Sequence, residues 1–528
     1  MDTARLLGLL SQPEAYPHPC GPVEVHHTHI SAVFLAGPYA YKVKKPLDLG
    51  FLDFTTLGRR RHFCLEEVRL NRRLAPWVYL GVVPIALHGG RLTVGGEGEP
   101  VEWAVWMERL PPQATLASRM ARGQVTADLL AALAARVAAF HRSAEAGPHV
   151  DALAGWDTVA RNARENFEQS EAQVGGTVAA RVFSRFRDLT EAALGERREL
   201  VEGRAARGTA RDTHGDLHLD HVYVFPQRPA PDDLPVVDCI EFSERFRYAD
   251  PVADAAFVSM DLAFRGRRDL AARFREAYTQ AAADPEGMAL FPLYEAYRAA
   301  VRAKVEGVRA RGGEVPAEDR KTARQSARAH WLLGLGILEA PARRPCLLGV
   351  GGLPGAGKST LARGLAQRAG FEVVVADRVR KELAGLPAEA PAGAAFGEGL
   401  YTAEWNERTY AACLERAEEI LARGGRALVD ASFREDGRRR DLLDLARQWG
   451  VPGLLLLCEA DAGEVRRRLG RRKAGPSDAD WEIYLRAAAA WEEPGVQTLP
   501  ALWRIPSRPD AAATLEEALG VLGREGLS

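Results

Sequence analysis

The sequence predicts two folds in one chain. Residues 1–340 read as an α+β, two-lobed part, residues 346–528 as an α/β doubly wound parallel sheet, with a linker at 341–345. Three observations carry this. At 528 residues the chain is too long for one ordinary core, so two or three domains are expected. Strand patterns gather in the first 110 residues and helical patterns dominate after them, the order expected of an α+β domain. After Cys346, short apolar runs alternate with helical stretches, as a parallel sheet with helices on both faces requires.

Composition narrows the class. Hydrophobic content of 47% and charged content of 27% are those of a globular protein. A net charge of −1 exerts no global pull toward nucleic acid or anionic membrane. Six cysteines without CxxC spacing argue against a cysteine zinc site or a disulfide framework and fit a reducing compartment. The N-terminus lacks a basic-then-apolar pattern, and no apolar run reaches about 18 residues. The expectation is a cytoplasmic protein with no membrane partner.

Residues 1–30 hold a weak helix and then His26, His27 and His29, which fit a solvated strand edge. Ser31–Lys45 reads as a hairpin that turns at Gly37-Pro38. Alternation puts Lys42 and Lys44 on one face. Arg59–Leu74 has helical apolar spacing (Phe63, Val68, Leu70, Leu74) and carries Glu66 and Glu67. A strand lysine followed by a helix glutamate is the ion-pair arrangement of kinase-like small lobes, where the lysine touches the α/β-phosphates. Val101–Met107 is a strand that ends at Pro111 and Pro112, the place of a hinge in such a fold. Helices follow at Ala127–His141 and Val178–Leu200.

Thr213-His214-Gly215-Asp216-Leu217-His218-Leu219-Asp220-His221 precedes a strand, Val222–Phe225. A turn rich in Pro and Asp leads on to Leu234–Phe242, which contains Asp238. Two loop aspartates about 22 residues apart, separated by a hairpin, suit phosphoryl transfer: one near the acceptor hydroxyl, one on Mg²⁺.

With these residues in place, the chain resembles the aminoglycoside phosphotransferase (phosphotransferase enzyme) family. The likeness rests on the His214–His218 run, on Val236-Val237-Asp238-Cys239-Ile240-Glu241-Phe242 and on Arg247-Tyr248-Ala249-Asp250. It is similar in particular to the bacterial set in which such a domain is fused to a P-loop kinase domain. The resemblance implies a protein-kinase-like two-lobe fold. It implies that Asp216 is the catalytic aspartate, Asp238 the Mg²⁺ aspartate, Lys42 the phosphate lysine and Glu67 its partner. One position departs: the family pattern has Asn five residues after the aspartate, as second metal ligand, and here His221 stands there. Imidazole is a poorer Mg²⁺ ligand than an oxygen donor. Either Asp220 takes over or one metal site is lost.

Residues 251–338 read as Ala-rich helices, among them Leu293–Val301 and Ser326–Leu338, with an arginine-rich face from Arg298 to Arg311. Two prolines mark the linker. Cys346–Val350 is then a buried strand, followed by Gly352-Leu353-Pro354-Gly355-Ala356-Gly357-Lys358-Ser359 and a helix opening at Thr360. Strand, glycine-rich turn, Lys-Ser and helix is the context of a phosphate-binding P-loop. The glycines let several N–H groups converge, and the helix adds its positive dipole end. Lys358 reaches the β/γ-phosphates of ATP and Ser359 holds Mg²⁺.

Later strands end in Asp377, Asp430 and Glu459, at the strand termini where ligands bind in such sheets. Asp430, after an apolar strand, reads as a Walker-B-like acid on the Mg²⁺ shell. Glu464–Arg472 carries Arg466, Arg467, Arg468, Arg471 and Arg472, arginines that can close over phosphate as a lid. This half resembles P-loop kinases of the zeta-toxin, gluconate-kinase and polynucleotide-kinase type. By that likeness Asp377 activates the acceptor hydroxyl and Arg380 holds the acceptor's own anionic group.

The reading is an ATP- and Mg²⁺-dependent kinase acting on a small-molecule hydroxyl. Two alternatives stand beside it: a non-catalytic regulatory N-terminal half, and a C-terminal 5′-hydroxyl polynucleotide kinase. The acceptor and the oligomeric state are not legible.

Overall fold

The hairpin around Gly37, whose φ is 58°, sits within a six-stranded antiparallel sheet. The computed structural model describes residues 3–50, 52–88, 91–313, 315–387, 399–471 and 480–528. The sheet's strands are β1 (Glu24–His27), β2 (Ser31–Ala36), β3 (Tyr39–Lys44), β4 (Tyr79–His88), β5 (Arg91–Val94) and β6 (Glu99–Glu108). Their order is β1-β2-β3-β6-β4-β5. The edge strand β1 leaves His26 and His27 exposed. The helix Leu57–Asn71 is capped by Thr56, whose hydroxyl accepts from the Arg59 N–H. It buries Cys64 and Val68 against Val105 of β6 and Tyr79 of β4. That packing turns Glu67 inward, fully buried.

The chain divides into two compact units that do not coincide with one cut at 341–345. The first comprises residues 1–161, 196–262 and 268–294, the second 162–195, 263–267 and 295–528. The first holds the six-stranded sheet, a two-stranded sheet of β7 (Arg211–Asp212) with β8 (Tyr248–Ala249), and helices such as Ala127–Ser143 and Arg268–Ala282. The hairpin expected around Val222 is narrow. Val222 bridges Val236, and the N–H groups of Tyr223 and Val237 donate across it, but no regular strand forms beyond.

The second unit is built on five parallel strands: β9 (Cys346–Gly351), β10 (Glu372–Val375), β11 (Arg426–Asp430), β12 (Gly453–Glu459) and β13 (Leu502–Pro506). They lie in the order β10-β11-β9-β12-β13, so the central β9 is buried at every position. Alternate residues feed two cores. Leu348, Val350 and Leu456 pack with Leu361, Ala518 and Val521. Leu347, Val429 and Leu455 join a second core with Cys413, Ala417 and Leu421. The same core contains Phe167, Phe183, Phe186, Trp331 and Leu335, from segments well upstream of residue 340. The linker itself is one turn, Pro341–Arg343, next to a buried Glu339 that pairs with Arg185 at 2.8 Å.

Candidate functional site

In the first unit, Lys42 and Lys44 project from the same face of β3 and both reach Glu67. Lys42 Nζ lies 2.9 Å from Glu67 Oε1 and donates to Asp238 Oδ1 at 2.5 Å. Lys44 Nζ donates to Glu67 Oε2 at 2.7 Å and to Glu241. Burial would lower the Lys42 pKa, but Asp238 and Glu67 outweigh it and hold the ammonium charged well above its ordinary range. Burial likewise pushes Asp238 up, while Lys42 and then His221 hold its carboxyl well below the ordinary range. Asp238 has φ 64°, a left-handed conformation that costs a non-glycine residue about 1–3 kcal/mol. The neighbourhood fixes it there. Its N–H donates to the Tyr79 hydroxyl at 3.1 Å, and the Cys239 N–H donates to Asn71 Oδ1 at 2.9 Å.

The loop that carries Asp216 is pinned by two buried acids. Asp254 accepts from the His214 N–H at 2.6 Å and the Gly215 N–H at 2.8 Å; Asp261 accepts from the Leu219 N–H at 3.0 Å. Gly215 turns at φ 82°, where a Cβ would sit 3.1 Å from the Phe246 carbonyl. His214 Nε2 is 3.0 Å from the Val237 carbonyl, and burial pushes its pKa down to about 4. His221 is also lowered, by burial and then by His218. Its Nδ1 lies 2.9 Å from the Asp216 carbonyl and its Nε2 3.6 Å from Asp238 Oδ2. Asp238 thus offers a carboxylate oxygen beside an imidazole. That donor pair suits Mg²⁺ poorly, because Mg²⁺ takes oxygen ligands in near-ideal octahedra.

In the second unit, β9 runs into a turn with Gly352 at φ 132°, Gly355 at 78° and Gly357 at 95°, then into the helix Lys358–Ala369. A Cβ at Gly352 would lie 2.4 Å from the Cys458 carbonyl oxygen, and one at Gly357 2.8 Å from Ser507 Oγ. Only glycine leaves that cradle open. Lys358 Nζ arches back to the Leu353 carbonyl at 3.0 Å. Asp430, the last residue of β11, is buried and hydrogen-bonded to Ser359. Burial raises its pKa, while Lys358 and the Ser359 bond pull it down. Adjacent oxygens of Ser359 and Asp430 beside Lys358 are a donor set that fits Mg²⁺.

Asp377 sits in the first turn of the helix Ala376–Leu383, directly after β10. One turn on, Arg380 donates to Asp377 Oδ1 at 3.1 Å and to Asn406 Oδ1 at 2.9 Å, and lies over the Tyr401 ring at 4.7 Å. These groups line a cleft of about 720 Å³ at the carboxyl ends of the strands, together with Arg434, Arg438 and Tyr410. Arg468 and Ser507 also line it, joined by a 2.9 Å bond from Arg468 to Ser507 Oγ.

The family model described as "Phosphotransferase enzyme family" matches residues 53–291, and one described as "AAA domain" matches residues 347–494. Uncharacterized proteins of Mycobacterium tuberculosis and Mycobacterium bovis are each 32% identical to the chain over 498 residues, covering 94% of it and 94% of their own length. The chain belongs to the family of these mycobacterial proteins. Solved structures match at lower identity. A gluconokinase from Sinorhizobium meliloti 1021 is 19% identical, over 35% of this chain and 95% of that one, with a TM-score of 0.27. The GDP complex of wild-type aminoglycoside 2'-phosphotransferase-IIIa is 14% identical, over 62% of this chain and 99% of that one, with a TM-score of 0.38.

This chain fuses an N-terminal phosphotransferase-type kinase domain to a C-terminal P-loop kinase domain, both nucleotide-binding kinase domains. Among the described residues no helix is long and apolar enough to cross a membrane. Lys42, Glu67, Asp216, His221 and Asp238 converge in the first unit. Gly352, Gly355, Gly357, Lys358, Ser359, Thr360, Asp377, Arg380 and Asp430 all line the second unit's cleft. Three of the expected nucleotide contacts do not. Ala356 is buried beneath the turn. Arg466 lies over the Trp481 ring, and neither it nor Arg471 is among the residues lining the cleft. The helix Ala462–Arg471 presents Arg468 instead: Arg466 lies about 200° around the axis from it, and Arg471 a turn further along. Arg472 falls outside the described residues.

Sequence reasoning passed over Glu241, Asn406, Tyr410, Arg434 and Arg438. Glu241 carried one signal, an acid three residues after Asp238 in the apolar run Leu234–Phe242.

Proposed function

We propose that this protein transfers the γ-phosphoryl group of ATP to a hydroxyl of a small molecule at the P-loop cleft, as kinases of the zeta-toxin type do. The observation that carries the reading is that two sets line one cleft: Lys358, Ser359 and Asp430 at the glycine-rich turn, and Asp377 with Arg380 on the helix after β10. In this reading the glycine cradle and Lys358 bind the phosphates. Asp377 takes the acceptor's proton, and Arg380 orients Asp377. Mg²⁺, held by Ser359 and Asp430, would supply positive charge to the transferring group. Fixed positive groups at developing charge are the main catalytic resource of such transfers. A cleft of about 720 Å³ is in the range of small-molecule sites.

A second reading concerns the first unit, residues 1–340 in the sequence-based division. Its Lys42–Glu67 and Lys42–Asp238 pairs support nucleotide binding, with Asp216 on the acceptor side. The imidazole of His221 disfavours strong Mg²⁺-dependent transfer there.

The test uses the full chain and an ADP-release assay over a panel of sugars, sugar acids, nucleosides and a 5′-hydroxyl oligonucleotide. Acceptor-stimulated release at the P-loop site falls on the order of a hundredfold or more in Lys358→Ala and persists in Asp238→Asn. Release that is insensitive to Lys358→Ala would overturn the assignment.

A further inference from the structure

The loop Asp216–His221 gathers more nitrogen donors than phosphoryl transfer uses. Asp216, His218 and His221 bring one ligand atom each within 4.8 Å of one another, and His218 is buried. Asp216 Oδ2 is 3.7 Å from His218 Nε2 and 3.6 Å from His221 Nδ1. Ligand atoms around a tetrahedral ion with bonds of about 2.0–2.1 Å stand about 3.3–3.4 Å apart. The Asp216 oxygen is therefore within a few tenths of an ångström of that spacing from each of the two nitrogens.

The outer contacts have the same form. Metal-bound histidines commonly direct their other nitrogen at a carboxylate, which fixes the tautomer. His218 Nδ1 is 3.6 Å from Asp220 Oδ2, and His221 Nε2 is 3.6 Å from Asp238 Oδ2. His221 Nδ1 also faces the Asp216 carbonyl at 2.9 Å, so that oxygen must move aside from Nδ1 or join the ion's shell when an ion binds there.

We propose that Asp216, His218 and His221 form a two-histidine, one-carboxylate site for a divalent transition ion of the Zn²⁺ class, with Asp220 and Asp238 as outer carboxylates. Imidazole donors favour Zn²⁺, Co²⁺ and Ni²⁺ over Mg²⁺. A second cluster, His218 with Asp220 and Asp261, shares His218; Asp261 is already engaged by the Leu219 N–H, so it serves the loop. Occupancy of the site takes the Asp216 carboxylate away from an acceptor hydroxyl, so the ion acts as an off-switch for transfer by the first unit. That consequence rests on the phosphotransfer reading of this unit. The binding does not.

The experiment is a Co²⁺ titration of the metal-stripped full chain without nucleotide, read by visible absorption and by stoichiometry. One Co²⁺ per chain is expected, displaced by Zn²⁺ and not by excess Mg²⁺. His221→Ala abolishes the spectrum, and Asp220→Asn weakens binding about 10–100-fold, as loss of an outer partner does. His26→Ala/His27→Ala, which removes two exposed histidines of β1, leaves it unchanged. Thermal unfolding of each metal-free variant verifies the fold, and His221→Asn serves where His221→Ala does not fold. Displacement by Mg²⁺, retention in both His221 variants, or loss in the β1 variant would each overturn the proposal. Intact binding in a chain whose first unit transfers no phosphate even after the ion is stripped and Mg²⁺ supplied would sink only the kinase reading.

Discussion

Trp331→Ala probes whether helices upstream of residue 340 belong to the core of the P-loop unit. Trp331 is fully buried. Its ring lies 5.3 Å from Phe183, 5.8 Å from Phe167 and 5.9 Å from Phe186, and its Nε1 donates to Gln173 Oε1 at 3.5 Å. Truncating a buried Phe or Trp to Ala typically costs about 3–5 kcal/mol. The upper half of that range applies, because the surroundings cannot close the hole. At Gly334, one turn on, a Cβ would already be 2.3 Å from Phe186 Cζ, so helix and ring are in close contact. A loss of about 4–5 kcal/mol corresponds to a fall of roughly 8–20 °C in a unit of this size. The assay is thermal unfolding of the full chain with and without a non-hydrolysable ATP analogue and Mg²⁺. The transition that the analogue raises, and that stops responding in Lys358→Ala, belongs to the P-loop unit. Trp331→Ala lowers that transition. A fall confined to the other transition, or of less than about 1 kcal/mol where Trp-to-Ala losses are several-fold larger, would refute the reasoning.

Three further outcomes follow from the geometry. His214 has a folded pKa of about 4 against an ordinary 6.5, so the unfolded chain takes up the proton first on acidification. Its contribution to stability is complete above about pH 6.5 and is lost as pH falls toward 4, on the order of 3 kcal/mol; melts across this window should flatten in His214→Asn, and an equal slope in the variant would count against it. In a Lys358→Ala background, His221→Asn should increase Mg²⁺-dependent phosphate transfer or slow ATPase by the first unit, since an amide oxygen replaces an imidazole; a decrease would show that the histidine serves a working Mg²⁺ site. Gly352→Ala places a Cβ against the Cys458 carbonyl at a φ that costs about 1–3 kcal/mol by itself, so the nucleotide-dependent stabilisation should disappear, and a normal response would mean the cradle is not the binding loop.

Local motifs were legible and their partners were not. Gly352–Ser359 declares itself because strand, turn and helix are contiguous, and Lys42, Glu67, Asp216 and Asp238 were readable from a strand, a helix and a hairpin. That Lys42 and Asp238 touch across 196 residues is a tertiary fact, which the motifs support only through resemblance. β13 escaped because Leu502–Pro506 is a half-exposed edge strand that ends in proline, a poor strand signal. The division of the chain was hidden for a different reason. The two prolines near 341 mark a real turn, but the apolar faces of segments 162–195 and 295–338 carry no label of what they pack on. Among the four arginines of the helix Ala462–Arg471, composition cannot choose Arg468; only the helix phase and Ser507 do.

The central claim, that Asp377 is the base of a P-loop phosphotransferase site, is tested most directly by Asp377→Asn in the full chain. Two quantities are measured on the same protein: the dissociation constant of an ATP analogue with Mg²⁺, and kcat for the acceptor that the panel identifies. A group used mainly in the transition state changes kcat and spares nucleotide binding. A general base typically contributes about 10²–10⁴ in rate. The expected result is nucleotide affinity nearly unchanged and kcat lowered on the order of a hundredfold or more. A large loss of nucleotide binding with kcat preserved would contradict it and make Asp377 a nucleotide or metal ligand.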